Sequence, residues 1–150
     1  MTIQEFNEVL DFAVEREKEA VQFYHELQEQ AHFAGQKDFL KELESMEQGH
    51  INVIENLRLK QPSEMDIKTI PNLQFSEYLV SDVDDLDLTY PNLLIKAMKR
   101  EEISFKLYGD LSRKFQDSEL AKLFTKLANE EAGHKYKFEQ LYDEWLRQGN

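Results

Sequence analysis

The 150-residue sequence contains no cysteine, which excludes disulfides, zinc–thiolate sites, iron–sulfur clusters and thiol catalysis. Glycine and proline are scarce, at five and three residues, and a chain of this composition favours helices. No apolar run approaches the roughly 20 residues that a membrane-spanning helix needs. The first five residues show neither the basic nor the apolar region of a signal peptide. We therefore expect a cytoplasmic, helical protein forming one domain over residues 1–150.

Basic residues are in the minority, with 18 Lys and Arg against 30 Asp and Glu, so the formal net charge is −12. Such a surface repels polyanions, and neither nucleic acid nor an anionic membrane is an expected partner.

The first half of the sequence predicts two helices, because its apolar residues recur at spacings of three and four. Thr2 to Glu5 fits a capping box and opens the first helix. Gly35 is the expected stop of that helix. The second helix should end before Pro62, since the residue preceding a proline disfavours helix.

The second half of the sequence repeats this pattern after a long interruption. Residues 61–90 contain two prolines and an acidic run, and we interpret them as a crossover with one short helix near residues 75–79. Thr89 and Pro91 suit the start of a third helix. Asp117 or Ser118 caps a fourth helix that runs to about Leu146. The predicted fold is all-α: two helix hairpins, residues 3–60 and 91–146, joined as in a ferritin-like four-helix bundle.

A metal-ligand pattern occurs once in each predicted hairpin. The motif E-x-G-H begins at Glu47 and again at Glu131, 84 residues later, and a further Glu precedes each motif by 30 residues. The six candidate ligands are Glu17, Glu47, His50, Glu101, Glu131 and His134. Four carboxylates and two imidazoles are the ligand set of a two-metal site inside a four-helix bundle.

Helical spacing explains why these residue types act together. Positions i and i+3 share a helix face, so Glu47 and His50 reach one point, as do Glu131 and His134. Carboxylate oxygens and neutral imidazole suit iron and other first-row metals, and the same set also accepts Mn, Zn or Co. A single E-x-x-H in a Glu-rich helix is common by chance, and the matched offset is what favours a site.

Two further pairs of residues repeat at the same offset. Tyr24 and Tyr108 each follow a candidate ligand by seven residues. They are either aromatic residues of the core or hydrogen-bond partners of ligand carboxylates. Gly49 and Gly133 lie in helix interiors, where glycine costs about 1 kcal/mol relative to alanine. Either the backbone or the metal ligands need the space that a glycine leaves free, or the two glycines match only because the halves arose by duplication.

The motif A-x-x-x-E-x-x-A-x-x-x-Y from Ala13 to Tyr24, its counterpart from Ala97 to Tyr108 and the two E-x-x-H pairs resemble the rubrerythrin family of the ferritin-like superfamily. The resemblance implies two iron ions held by the four glutamates, with the histidines as terminal nitrogen ligands. It implies reduction of hydrogen peroxide or O₂ and a homodimer. Because these residues contain no cysteine, the expected electron donor is an external protein.

Two departures from that family bear on function. Rubrerythrins usually carry a four-cysteine rubredoxin domain, and these residues contain no cysteine. Rubrerythrins also carry a glutamate three residues after the metal ligand of the third helix, where this sequence has Ser104. Two alternative functions therefore stay open. One is non-catalytic iron binding or storage of the ferroxidase-like kind, and the other is a metal-dependent interaction protein.

Overall fold

The computed structural model describes residues 3–30, 34–60, 89–115 and 118–148. In these ranges the protein is built of four α-helices and one short 3-10 helix. They are α1 (Ile3–Leu27), the 3-10 helix (Gln28–Gln30), α2 (Ala34–Lys60), α3 (Tyr90–Lys114) and α4 (Ser118–Arg147). None of the described helices is long and apolar enough to cross a membrane.

The chain divides into two compact units, Met1–Asn72 and Leu73–Asn150. In the first unit α1 packs against α2, and in the second α3 packs against α4. The predicted fold class, an all-α ferritin-like arrangement of two helix hairpins, is confirmed. The predicted crossover helix near residues 75–79 lies outside the described residues.

The first unit has its core along one face of each helix. Leu10, Tyr24 and Leu27 of α1 are buried completely or nearly so, as are Leu40 and Ile54 of α2. These positions follow spacings of three and four, the period that places residues on a single helix face. The apolar face of α1 is therefore covered by that of α2.

Polar contacts join the outer edges of α1 and α2. Arg58 forms an ion pair with Asp11. His25 Nδ1 lies 3.0 Å from Glu44 Oε1, and Gln28 Nε2 donates to Glu44 Oε2 at 2.8 Å. We name His25, Gln28 and Glu44 the polar seam of the first hairpin.

The end of α1 differs from its predicted position at Gly35. The helix changes to 3-10 geometry at Gln28, and Gly35 lies inside the first turn of α2. The Gln28 side chain donates to the Tyr24 carbonyl at 3.3 Å, which satisfies one of the last carbonyls of α1. The α-helix therefore ends before the glycine, and this side-chain contact supports that end.

The second unit begins as predicted. Thr89 is the N-cap of α3 in an extended conformation, and Pro91 lies in the first turn, where its missing N–H is not needed. The ends of α2 and α4 also agree with the sequence.

Phe124 of α4 is fully buried and stacks against Tyr108 and Phe115, with ring centroids 6.2 and 5.6 Å away. This aromatic group is the centre of the second core.

Replacement of Phe124 by alanine should lower the free energy of unfolding by about 3–5 kcal/mol, because it removes a buried ring and leaves a cavity. Urea denaturation followed by circular dichroism measures this difference. The matched control is Phe105→Ala, because Phe105 is 43% exposed and its removal leaves no enclosed cavity. Similar losses in both variants would show that the stacked group is not the centre of this core.

Candidate metal centre

The first ligand cluster consists of Glu17 from α1 and Glu47 and His50 from α2. All three are buried, with 2%, 1% and 4% of their surface exposed. His50 Nδ1 lies 3.5 Å from Glu17 Oε1 and 3.6 Å from Glu47 Oε2. One ligand atom from each residue falls within 4.8 Å of the others. Donors that each lie about 2.0–2.2 Å from one ion are at most about 4.4 Å apart. The 3.5 and 3.6 Å contacts of His50 fall within that limit, so the cluster fits a first-row metal.

The second ligand cluster repeats this arrangement in the other unit. Glu101 comes from α3, and Glu131 and His134 come from α4; they are 1%, 1% and 5% exposed. His134 Nδ1 lies 3.5 Å from Glu101 Oε2 and 3.9 Å from Glu131 Oε1. Ligand atoms of these three residues also lie within 4.8 Å of one another. Each hairpin thus buries two carboxylates beside one imidazole.

Local helix geometry explains both clusters. Glu47 and His50 lie one turn apart on α2, and Glu131 and His134 have the same spacing on α4, so each pair projects from one face. The remaining glutamate of each cluster comes from the helix packed alongside. Because backbone N–H and C=O groups within helices bond to each other, the six ligand side chains are the buried charged groups of the described helices.

Burial changes the proton affinity of the first cluster. The pKa of Glu17 is raised well above its ordinary value of 4.5, first by burial and then by the negative charge of Glu47. Burial alone would lower the pKa of His50, but polar contact with Glu17 and Glu47 and their negative charge raise it to about 11. His50 therefore holds a proton at neutral pH in the metal-free cluster, and metal binding must displace it.

The tyrosines and glycines of the repeat take different positions. Tyr24 and Tyr108 are buried, at 0% and 1% exposure, among the core side chains of their hairpins. The hypothesis that they bond to ligand carboxylates stays a prediction. Among the described residues, a Cβ added at Gly49 or Gly133 would meet no atom within 4 Å. The expectation that the chain needs the space at these glycines is therefore wrong.

Two features were not predicted from the sequence. His25 lies outside the two motifs and is exposed, and the sequence gives no signal of its contact with Glu44. Ser104 lies on the inward face of α3 and yet is only half-buried. Helical periodicity places Ser104 in phase with Glu101 and Tyr108, but it gives no signal of this exposure. The other histidine outside the motif, His32, lies outside the described residues.

Comparison with known proteins agrees with this geometry. Residues 8–142 match the rubrerythrin family, and the chain therefore belongs to that family. A hypothetical protein from Pyrococcus furiosus has a similar solved structure, with a TM-score of 0.72 and 25% sequence identity over 99% of this chain and 92% of that one. No curated protein matches the sequence. The protein is thus a rubrerythrin-family helical protein with buried Glu/His clusters that suit a di-metal site.

Replacing Gly133 by alanine should raise the free energy of unfolding by about 0.5–1 kcal/mol, because alanine is the better helix former and its methyl group enters open space. Gly49→Ala should behave in the same way. Thermal and urea denaturation of the metal-free proteins measures the gain. The reverse change at the neighbouring helical position, Ala132→Gly, is the control and should lose a similar amount. Destabilisation by Gly133→Ala would show that the structure needs a glycine at this position.

The metal-free protein should lose stability as the pH rises. Glu17 and His50 have raised pKa values in the folded state, so that state binds more protons than the unfolded chain. The stabilisation is complete below the unfolded pKa values of 4.5 and 6.5, and it declines as the pH rises through 6.5 toward about 11. Urea denaturation at pH 6.5 and pH 9 tests the direction.

The control for this pH dependence is Glu47→Gln, which removes the negative charge that acts on both groups. This variant should show a flatter pH dependence than Glu55→Gln, a change at a more exposed position of the same helix. Equal pH dependence in the two variants, or stability that increases toward pH 9, would contradict the assignment.

Proposed function

We propose that the two ligand clusters together hold two iron ions and that the protein reduces hydrogen peroxide or O₂ with electrons from an external protein. The observation that carries this proposal is the burial of the same three ligands, two glutamates and one histidine, in each hairpin. Membership of the rubrerythrin family supports the same conclusion.

Charge balance supports two divalent ions. The four glutamates carry four negative charges when ionised, and two divalent cations supply four positive charges. An unpaired ionised carboxylate in an apolar core costs free energy. Such carboxylates take up protons unless a cation binds in place of the protons. The raised pKa of Glu17, caused by burial and by Glu47, is the sign of that cost in the metal-free cluster.

When bound, two irons passing from Fe(II) to Fe(III) would supply the two electrons that convert one hydrogen peroxide and two protons into two waters. The chain contributes the ligands and a buried environment. The helices hold the ligand side chains in place, and the surrounding apolar residues exclude bulk water, which strengthens electrostatic interactions at the site. We place Tyr24 and Tyr108 beside the ligand carboxylates, as partners that would orient them.

The electrons must come from elsewhere. These residues contain no cysteine, so they hold no thiol or iron–sulfur group that could relay them. An external electron-donor protein is therefore part of the proposal, and so is a homodimer as the working assembly. Iron is the proposed metal, although glutamate and histidine also bind manganese and zinc, and cellular supply often decides which is present.

Stopped-flow absorbance tests this function on protein reconstituted anaerobically with two Fe(II) per chain. Mixing with hydrogen peroxide or with O₂ should produce oxo-bridged ferric absorbance, and the faster oxidant identifies the substrate. Glu47→Ala should abolish the absorbance and reduce the bound iron, because it removes a ligand from the first cluster. The control is Gln48→Ala, a change at the exposed neighbouring residue, which should react like the natural protein.

Two results would contradict the proposal. Iron bound at two per chain that reacts with neither oxidant would favour a structural or interaction role. Oxidation of Fe(II) followed by accumulation of many ferric ions per chain would favour storage. Metal analysis after gel filtration distinguishes these two cases.

A further inference from the structure

The inward face of α3 is interrupted at Ser104. Ala97, Glu101, Ser104 and Tyr108 follow one another at spacings of three and four, so they lie along one face of the helix. Ala97, Glu101 and Tyr108 are no more than 1% exposed. Ser104 lies between Glu101 and Tyr108 in this row but is only half-buried. Solvent therefore reaches the inward face of α3 one turn from a ligand of the second cluster.

The first hairpin is closed at the matching position. Ala20 follows Glu17 as Ser104 follows Glu101, and its neighbours Ala13, Glu17 and Tyr24 on that face of α1 are at most 2% exposed. Ala20 itself is 8% exposed. The two hairpins thus have the same types of ligand but differ at this position in solvent access and in chemistry. The Ala20 methyl group is buried, whereas the Ser104 hydroxyl group is accessible to solvent.

The Ser104 hydroxyl is available for a visiting molecule. Within the described ranges it has no hydrogen-bond partner, whereas Ser112 on the same helix donates to the Gly109 carbonyl at 2.8 Å. Residues three apart on a helix have Cβ atoms about 5–6 Å from each other. At this separation the Ser104 hydroxyl lies one helix turn from a ligand of the second cluster, where it can donate a hydrogen bond to a small molecule.

We propose that Ser104 forms the entrance to the second ligand cluster and that its hydroxyl donates a hydrogen bond to the small oxidant or anion that binds there. The ligand class is molecules of two or three heavy atoms with an accepting atom, such as hydrogen peroxide. Azide is a suitable unreactive probe. The inference rests on the proposed di-iron function, and it assigns ligand entry to one of the two otherwise matching halves.

Azide binding to the diferric protein tests this assignment, measured through the azide-to-iron charge-transfer band and its association and dissociation rates. Ser104→Ala should weaken azide binding about tenfold through faster dissociation, since it removes one hydrogen bond to a charged group. Ser104→Val should slow association, because it fills the entrance. Ser104→Thr keeps the hydroxyl and should retain the natural equilibrium affinity, although its added methyl group should slow association and dissociation alike. The matched control in the other hairpin, Ala20→Ser, should leave the affinity unchanged.

Metal analysis accompanies each variant, and two irons per chain in all of them is the expected result. Natural affinity in Ser104→Ala, or an equal change in Ala20→Ser, would overturn the assignment while leaving the di-iron function intact. Loss of iron from Ser104→Ala but not from Ser104→Thr would also overturn it, because Ser104 would then serve metal retention. Absence of an azide band in the natural protein with two ferric ions bound would overturn the proposed function and this inference together.

Discussion

Burial of charge is the constraint on which this structure depends. Each hairpin places two carboxylates and an imidazole where almost no water reaches them. The cost of desolvating such groups amounts to several kcal/mol per ion even after the protein relaxes. Protons reduce that cost in the metal-free chain, and divalent cations would offset it further. The surrounding side chains must hold these groups together against their own repulsion.

The helices suit this task because they satisfy their own backbone. Between 25 and 30 residues long, they form a rigid support whose buried charged groups are the ligand side chains. Large buried residues fill the remaining volume, Tyr24 in the first hairpin and Tyr108 with Phe124 in the second. A ligand held by a packed core keeps its geometry without help from the metal, which reduces the reorganisation needed on binding.

The sequence predicted most of this because two periodicities agree. Spacings of three and four defined the helix faces, and the 84-residue offset identified which polar residues on those faces belong together. Charge patterns alone would not have separated Glu17 from its exposed neighbours Lys18 and Glu19. The inward placement of Glu17 followed from its phase with Ala13 and Tyr24.

Features that depend on contacts between helices could not be predicted in the same way. The end of α1 coincides with a hydrogen bond from the Gln28 side chain to the Tyr24 carbonyl, and Gly35 gave a misleading local signal. Open space beside Gly49 is a property of what does not pack there, and periodicity carries no information about it. The accessibility of Ser104 is likewise visible only when the neighbouring surfaces are present.

The polar seam has a consequence for a chain that contains two related hairpins. Helices with matching apolar faces risk pairing wrongly during folding, because the residues of α4 repeat the spacing of those of α2. His25 of α1 and Gln28 of the 3-10 helix contact Glu44 of α2, but the residue of α4 that matches Glu44 is the buried Ala128. An α1–α4 hairpin would forfeit both contacts, each worth about 0.2–1 kcal/mol. Contacts away from the ligands thus help α1 to recognise α2 as its partner.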